Sequence, residues 1–203
     1  IIGGDVGLGY RDLKVDALSG ASDVDVCGTF DDCAILKVEN ERLTFNVDAG
    51  IPSTAVVQWD GAEATSALDR TGLYFDRDGS GDGVLEGADL VDQTGCPDGG
   101  CDRFTFTVYE SDQDFPFTIG VYTDDDTFTE YLLAARAANE ASNTDYTSEL
   151  LFSDFTDADT LGYCDGSSDL PDGVLAVNCG TDGTVDMTSV GALQIILNPG
   201  GTS

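Results

Sequence analysis

Histidine is absent from this chain, and that absence removes several kinds of chemistry. Serine-triad and cysteine–histidine mechanisms use a histidine as the general base. Paired carboxylates can hydrolyse sugars. With 39 acidic residues, however, some pair is close by chance, so a close pair is no evidence for a glycoside hydrolase. We therefore expect the chain not to be an enzyme.

Basic residues are scarce: 8 face 39 acidic ones, a net charge of −31, and Lys14 and Lys37 are the only lysines. Such a surface repels nucleic-acid phosphates and anionic lipid heads, so neither is expected as a partner. Two compatible interpretations of the charge remain. The charge can form a solvated surface suited to a salty environment, and the same surface can use divalent cations as structural parts.

Long apolar runs are also missing, since none approaches the ~18 residues needed to cross a bilayer, and we expect no direct membrane insertion. Residues Ile1–Gly4 do not resemble a signal peptide. The 203 residues, 41% of them hydrophobic, suffice for one large domain with a core, and no linker is evident. We predict a single domain over residues 1–203.

The six cysteines fall into three close pairs with polar, turn-rich residues between them. Nearest-neighbour disulfides are the simplest expectation, although sequence alone does not fix the pairing. A zinc site is the alternative, but it usually needs tighter C-x-x-C knuckles or histidines. Disulfides imply an oxidising compartment, and hence a secreted or cell-surface protein. The predicted pairs are Cys27–Cys33, Cys96–Cys101 and Cys164–Cys179.

Strand patterns dominate the chain. Apolar and polar residues alternate, or short apolar runs occur between turns such as Asp60–Gly61 and Asp182–Gly183. Many short strands with such turns predict an all-β fold, a single jelly-roll-like antiparallel sandwich with long acidic loops and at most one short helix. The strand candidates are residues 43–47, 56–59, 104–108, 117–121 and 193–197.

One segment, Tyr131–Ala141, is rich in helix formers but lies between strand-like segments. We expect a strand that enters a long loop there, with a short helix as the alternative.

The most specific local motif is residues 78–89, which follow the EF-hand calcium-loop template. Gly83 occupies the sharp-turn position, and Asp89 replaces the usual glutamate at the last position. The preceding segment, Thr71–Phe75, has the pattern of a strand and not of an incoming helix. The predicted ligands of a structural calcium ion are Asp78, Ser80, Asp82, the Val84 carbonyl, Glu86 and Asp89.

A plain acidic turn is the alternative interpretation of that loop. Two further acidic clusters, Asp124–Asp126 and Asp154/Asp157/Asp159, could supply other cation ligands, although a charge run is usually a solvated loop.

Four short motifs occur in order along the chain: Gly3–Gly4 with Arg11–Leu13, then Gln58–Gly61, Phe152–Phe155 and Val190–Gln194. Together they resemble the exported bacterial β-sandwich domains carried by PEP-CTERM-type surface proteins, with an inserted dockerin-like calcium loop. The resemblance implies a jelly-roll-like sandwich of the cell surface or extracellular matrix, and no catalytic residues. The sequence from Pro199 onward shows no sorting motif or anchor.

We therefore expect an extracellular structural protein, a self-assembling subunit of a filament, sheath or matrix. An apolar segment containing Ile1, Ile2, Val6 and Leu8 could add to a neighbour's sheet, or could form an ordinary first strand. The alternative is a calcium-dependent carbohydrate-binding or adhesion module.

A carbohydrate-binding module would need exposed aromatic residues on which sugar rings can stack. Trp59 lies in an apolar run, so we expect it in the core, which leaves three tyrosines as weaker candidates for a sugar platform. These are Tyr109, Tyr122 and Tyr163.

Overall fold

The computed structural model describes residues 11–17, 34–39, 42–47, 53–61, 67–74, 85–92, 101–111, 114–136, 138–139, 146–166 and 170–199. Within these ranges the chain is all-β with one short helix. The strands are β1 (Arg11–Ala17), β2 (Ala34–Glu39), β3 (Arg42–Val47), β4 (Ser53–Trp59), β5 (Arg103–Val108), β6 (Glu110–Ser111), β7 (Phe115–Tyr122), β8 (Phe128–Ala135), β9 (Ala138–Asn139), β10 (Tyr146–Leu151), β11 (Val174–Cys179) and β12 (Ala192–Leu197), and α1 is Phe152–Thr156.

Six strands form the main sheet in the order β1-β4-β12-β7-β8-β11. Every neighbouring pair in it is antiparallel. The order shows that strands distant in sequence meet in space, because β12 lies between β4 and β7. Smaller antiparallel pairs are formed by β5 with β10, β2 with β3, and β6 with β9.

The two faces of the main sheet differ because successive residues of a strand point to opposite sides. Odd-numbered residues of the central strands form the core face. Ile119, Val121, Tyr131, Leu133 and Leu193 are fully or almost fully buried there. Trp59 packs against this cluster, which confirms the expectation that it belongs to the core.

A second layer covers the core face, which gives the fold its sandwich character. The β5–β10 pair contributes Phe104, Phe106 and Leu150, and the Phe106 ring lies 5.6 Å from that of Phe117 in β7. Helix α1 adds Phe155, whose ring centre lies 5.5 Å from that of Phe104. No described helix is long and apolar enough to cross a membrane.

The predicted strands are confirmed: each of the five candidate segments lies within β3, β4, β5, β7 or β12. The ambiguous segment from Tyr131 is a strand as far as Ala135, the end of β8. Pairing with β7 and β11 on its two sides overrides the helix preference of its alanines and leucines.

The prediction of a strand at Thr71–Phe75 is wrong for its described residues. Residues 71–73 form a hydrogen-bonded turn, in which the Gly72 amide donates to the Asp69 carbonyl and the Tyr74 amide to the Thr71 carbonyl. The apolar Leu73 is buried from within this turn, so its burial needs no strand.

Candidate functional site

The predicted calcium loop lies partly within the described residues. Asp78, Ser80, Asp82 and Val84 lie outside them, whereas Glu86 and Asp89 lie within. The structure therefore shows how the end of the loop is held, while the ligand set stays a prediction.

The described residues on either side of the undescribed part of the loop contact the same place in the fold. Upstream of the loop, the Leu73 amide donates to the Gly191 carbonyl over 2.9 Å. Near the end of the loop, Ala88 pairs with Val190, and their amides and carbonyls exchange hydrogen bonds of 2.7 and 2.8 Å. Because residues 190 and 191 are neighbours, Leu73 and Ala88 are held next to each other.

The returning segment is part of the core and not a loose connection. Ala88 and Leu90 are buried in the core cluster, and the Leu90 amide donates to the Met187 carbonyl over 2.9 Å. Gly87 lies so close to Ser189 that a β-carbon there would come within 2.5 Å of the Ser189 carbonyl carbon. The loop base is therefore closely packed against residues 187–190.

Asp89 has a defined role in this base. One of its carboxylate oxygens, Oδ1, accepts hydrogen bonds from the Val91 and Asp92 amides over 2.9 and 3.0 Å. The Asp89 carboxylate therefore caps the turn that follows the loop. The described residues fit calcium in their chemistry, since Glu86 and Asp89 supply the hard oxygen ligands that it prefers.

The other acidic clusters act as turn caps where the structure describes them. Asp124 Oδ1 accepts the Asp126 and Thr127 amides over 2.9 and 2.8 Å. Asp154, in the first turn of α1, accepts the Leu151 amide over 2.9 Å. Among the described residues, no three acidic or cysteine side chains are grouped so that they could hold a metal ion.

One predicted disulfide is confirmed. Cys164 bonds to Cys179, with their Cα atoms 5.5 Å apart, which ties the turn after α1 to the end of β11. Cys101 is also disulfide-bonded. Its partner is one of Cys27, Cys33 and Cys96, which all lie outside the described residues, so the other two pairings stay predictions.

A row of polar side chains crosses the face of the main sheet opposite the core, and no local sequence pattern indicates it. Gln58 pairs with Gln194, Gln194 with Gly120, Gly120 with Glu130, and Glu130 with Asn178, on five adjacent strands. The Tyr122 ring folds back over Gly120, where a β-carbon would collide with the tyrosine oxygen. We call Gln58, Gln194, Tyr122, Glu130 and Asn178 the polar row.

Hydrogen bonds join one end of the polar row. The Tyr122 hydroxyl donates to Glu130 over 2.5 Å, and the Asn178 amide donates to the other Glu130 oxygen over 2.8 Å. At the opposite end, Gln58 is 2% exposed, and its Nε2 has no hydrogen-bond partner among the described residues. A buried donor without a partner is costly, so the row is only partly satisfied.

Tyr122 is 1% exposed, so it cannot serve as a platform for sugars, and that expectation is wrong for this residue. Burial, reinforced by the neighbouring Glu130 carboxylate, raises the pKa of Tyr122 well above its ordinary value. Arg70 partly offsets this, with its guanidinium 4.5 Å from the ring centre and 4.8 Å from that of Phe128. Tyr163 is also packed against the core, and Tyr109 is half-buried.

Three of the motifs that carry the family resemblance lie on adjacent strands, and Gly3–Gly4 lie outside the described residues. Arg11–Leu13 lie in β1, Gln58 and Trp59 end β4, and Ala192–Gln194 begin β12. In register, Trp59 is opposite both Arg11 and Leu193. The fourth motif, Phe152–Phe155, forms α1. The residues Ile1, Ile2, Val6 and Leu8 of the predicted assembly segment lie outside the described residues.

Comparison of the chain with protein-family profiles, with curated proteins and with solved structures found no match.

Proposed function

We propose that the chain is an extracellular structural protein, a non-catalytic, self-assembling subunit of a surface filament, sheath or matrix. The observation that carries this proposal is the main sheet, which ends in the outer strands β1 and β11 within the described residues. Outer strands present backbone donors and acceptors that a strand from a neighbouring copy can pair with.

The disulfides support a location outside the cytoplasm. The Cys164–Cys179 bond and the bonded Cys101 would not persist where thiols are kept reduced. In this proposal the disulfide bonds stabilise the fold and so offset the repulsion between the many carboxylates of the chain.

Calcium is proposed as the second stabilising element, bound in the loop of residues 78–89. Support comes from the fit of this sequence to the calcium template and from the hydrogen bonds that hold Leu73, Ala88 and Asp89 at the base of the loop. The ion would neutralise carboxylates that otherwise repel each other, and its binding energy would add to the stability of the core that the loop base belongs to.

Calcium removal tests this part of the proposal. We expect EDTA to lower the thermal midpoint of the native chain, and Asp78→Ala with Asp82→Ala to lower it in calcium without EDTA. Saturating calcium at about 100 times its dissociation constant stabilises a fold by about 2.7 kcal/mol. The matched control is Asp172→Ala, an exposed aspartate outside the loop and outside the other two acidic clusters, which we expect to have no effect. An unchanged midpoint in both experiments would remove calcium from the account.

Self-assembly is tested by ultracentrifugal pelleting of the native chain with and without millimolar calcium. Pelleted material that redissolves on chelation supports an ordered assembly, whereas a chain that stays in the supernatant in every condition argues against it.

The second candidate is a carbohydrate-binding or adhesion module. It is favoured by the half-buried Glu130 and the exposed Asn178 at one end of the polar row, because carboxylates and amides are suited to binding hydroxyl groups. A soluble monomer that binds defined glycans, and loses binding in Asn178→Ala, would favour this function over the first.

A further inference from the structure

Strand β11 forms one end of the main sheet, and it is accessible from outside. Among the described strands β8 is its only partner, so its other side faces away from the sheet. Three of its six residues, Leu175, Ala176 and Asn178, are exposed. Another molecule can therefore approach this strand directly.

The chain on both sides of β11 turns away from its outer side. Before the strand, the Val174 amide donates to the Pro171 carbonyl over 3.0 Å, which closes a tight turn. After it, the Gly180 amide donates to the Phe128 carbonyl over 2.9 Å, on the side of β8. Both ends of the strand are thus held by contacts that leave its outer side free.

The disulfide at the end of β11 lies on the core side of the strand. Cys179 is opposite Thr129, which is fully buried. Because opposite residues of two neighbouring strands share a face, the bond from Cys179 to Cys164 leaves the strand on the core face. It anchors the strand and does not run along the free edge.

The hydrogen-bond pattern shows which backbone groups of β11 face outwards. In an antiparallel ladder, residues that bond to the partner strand alternate with residues that point away from it. Because Gly180 bonds to β8, Asn178 and Ala176 do so as well. Val177 and Cys179 therefore direct their amides and carbonyls to the outer side, where a further strand can pair with them.

Strand β11 also lacks charge. The whole chain carries −31, so most surfaces of two copies repel each other. None of the six residues Val174–Cys179 is charged. The strand is thus a place where two copies can meet without bringing carboxylates of the strand itself together.

We propose that β11 of one copy pairs antiparallel with β11 of a second copy about a two-fold axis at Asn178, which joins the two main sheets into one. This inference rests on the proposed self-assembly and specifies one of its contacts. A two-fold contact closes on itself and gives a dimer, the commonest form of homo-oligomer.

The irregular start of β11 selects this axis. The register with β8 shifts just before Ala176, so a regular ladder is available only from there onward. With the axis at Asn178, residues 176–180 of the two copies pair. Val177 then faces Cys179 in two symmetry-related pairs, each of which exchanges two backbone hydrogen bonds. An axis at Val177 would need Leu175, which lies in the irregular part.

The polar row explains why an asparagine stands at this position. The Asn178 amide donates to Glu130 over 2.8 Å, which leaves its oxygen and a second N–H for another partner. At the axis the two Asn178 side chains face each other and can exchange hydrogen bonds. The two Glu130 carboxylates stay three strand spacings apart, about 14 Å, which exceeds the screening length of about 8 Å at physiological salt.

Sedimentation velocity of the full chain with its disulfides intact tests the contact. At physiological ionic strength we expect a concentration-dependent dimer. Asn178→Asp should raise its dissociation constant about fivefold or more, because two carboxylates then face each other at the axis. The matched control is Thr147→Asp, which adds the same charge at an exposed position of β10, outside the main sheet, and should leave the dimer intact.

Cysteine cross-linking tests the register. Directly opposite residues that do not bond through their backbones have Cα atoms about 4.5 Å apart, within the range of a disulfide. Asn178→Cys should therefore form a covalent dimer under mild oxidation, with a 178–178 link in peptide mapping. Ala176→Cys is the control, since its two copies would lie about 14 Å apart along the strands.

The outcomes separate this inference from the proposed function. A wild-type chain that is monomeric at all concentrations overturns both. A dimer that Asn178→Asp leaves unchanged, or that Thr147→Asp weakens equally, overturns the β11 contact and leaves self-assembly standing. Cross-linking of Ala176→Cys as fast as that of Asn178→Cys also overturns it. If Asn178→Asp loses the circular-dichroism spectrum of the native fold, the cross-linking result decides alone.

Discussion

Tyr122 makes three different interactions with its neighbours. Its hydroxyl donates to the Glu130 carboxylate, its ring lies over Gly120, and the Arg70 guanidinium stacks on the ring. Hydrogen bonds to charged acceptors contribute more than those to neutral ones, about 1.5–3 kcal/mol against about 1 kcal/mol. We therefore expect this contact to be one of the stronger polar contributions to the stability of the sheet.

A pair of variants tests that expectation at the residue scale. Tyr122→Phe should lower the free energy of unfolding by about 1.5–3 kcal/mol, because a carboxylate loses its donor. Tyr131→Phe removes a hydrogen bond of 2.8 Å to the neutral Asp154 carbonyl and should cost about 1 kcal/mol. Both are measured by urea denaturation. If Tyr122→Phe lowers the free energy of unfolding no more than Tyr131→Phe does, the charge of the Glu130 carboxylate does not strengthen its hydrogen bond.

The polar row also shows why the site could be predicted only in part. Its members occur at positions 58, 122, 130, 178 and 194, and nothing local connects them. They meet because β12 pairs between β4 and β7, a long-range arrangement that no single strand pattern contains. The calcium loop is the opposite case, since its predicted ligands are contiguous and follow a template visible in the sequence.

At the scale of elements, the base of the predicted calcium loop is the part of the fold that connects the candidate site to the core. Glycine is needed at position 87 because the Ser189 backbone occupies the space of a side chain. Backbone atoms cannot move aside without breaking the Ala88–Val190 pairing, so the cost of a larger residue should be that of an overpacked core.

Gly87→Ala tests this packing. We expect it to lower the free energy of unfolding by about 1–3 kcal/mol and to weaken calcium binding, because the returning segment is displaced from Ser189 and Val190. The control is Leu85→Ala, two residues away. The Leu85 side chain is 58% exposed, so its loss should change the free energy of unfolding little. Equal stability of the two variants, measured by chemical denaturation, would contradict the close packing of Gly87 against Ser189.

Sequence patterns predicted most strands correctly because their alternation reflects burial of one face. Residues 104–108 and 117–121 alternate strictly enough to identify β5 and β7. The turn at Thr71–Leu73 was missed because Leu73 is buried by tertiary contacts that do not depend on strand periodicity. Helix α1 spans five residues, too short for a periodic pattern to show.

At the scale of the whole molecule, charge is the dominant property. Among the described basic side chains, Arg103 binds Asp102 and Glu149 over 2.8 and 2.9 Å, and Arg70 lies 3.7 Å from Asp125. Eight basic residues cannot balance 39 acidic ones, whatever their arrangement. Folding therefore brings like charges together, and dissolved ions must reduce their repulsion.

Salt should accordingly stabilise the chain. We expect the thermal midpoint to rise as sodium chloride increases from about 10 mM to about 1 M, because the screening length falls from about 30 Å to about 3 Å. The experiment is done in excess EDTA to separate screening from calcium binding, and sucrose serves as a non-ionic control. A midpoint that does not rise with salt would mean that repulsion between carboxylates does not limit stability.

We propose that this chain is a self-assembling structural subunit stabilised by calcium. Negative-stain electron microscopy of the native chain, with and without millimolar calcium, tests it most directly. The account predicts filaments or sheets in calcium, with fewer or none after chelation. Dispersed particles of uniform size in both conditions would contradict it and would favour a binding or adhesion module.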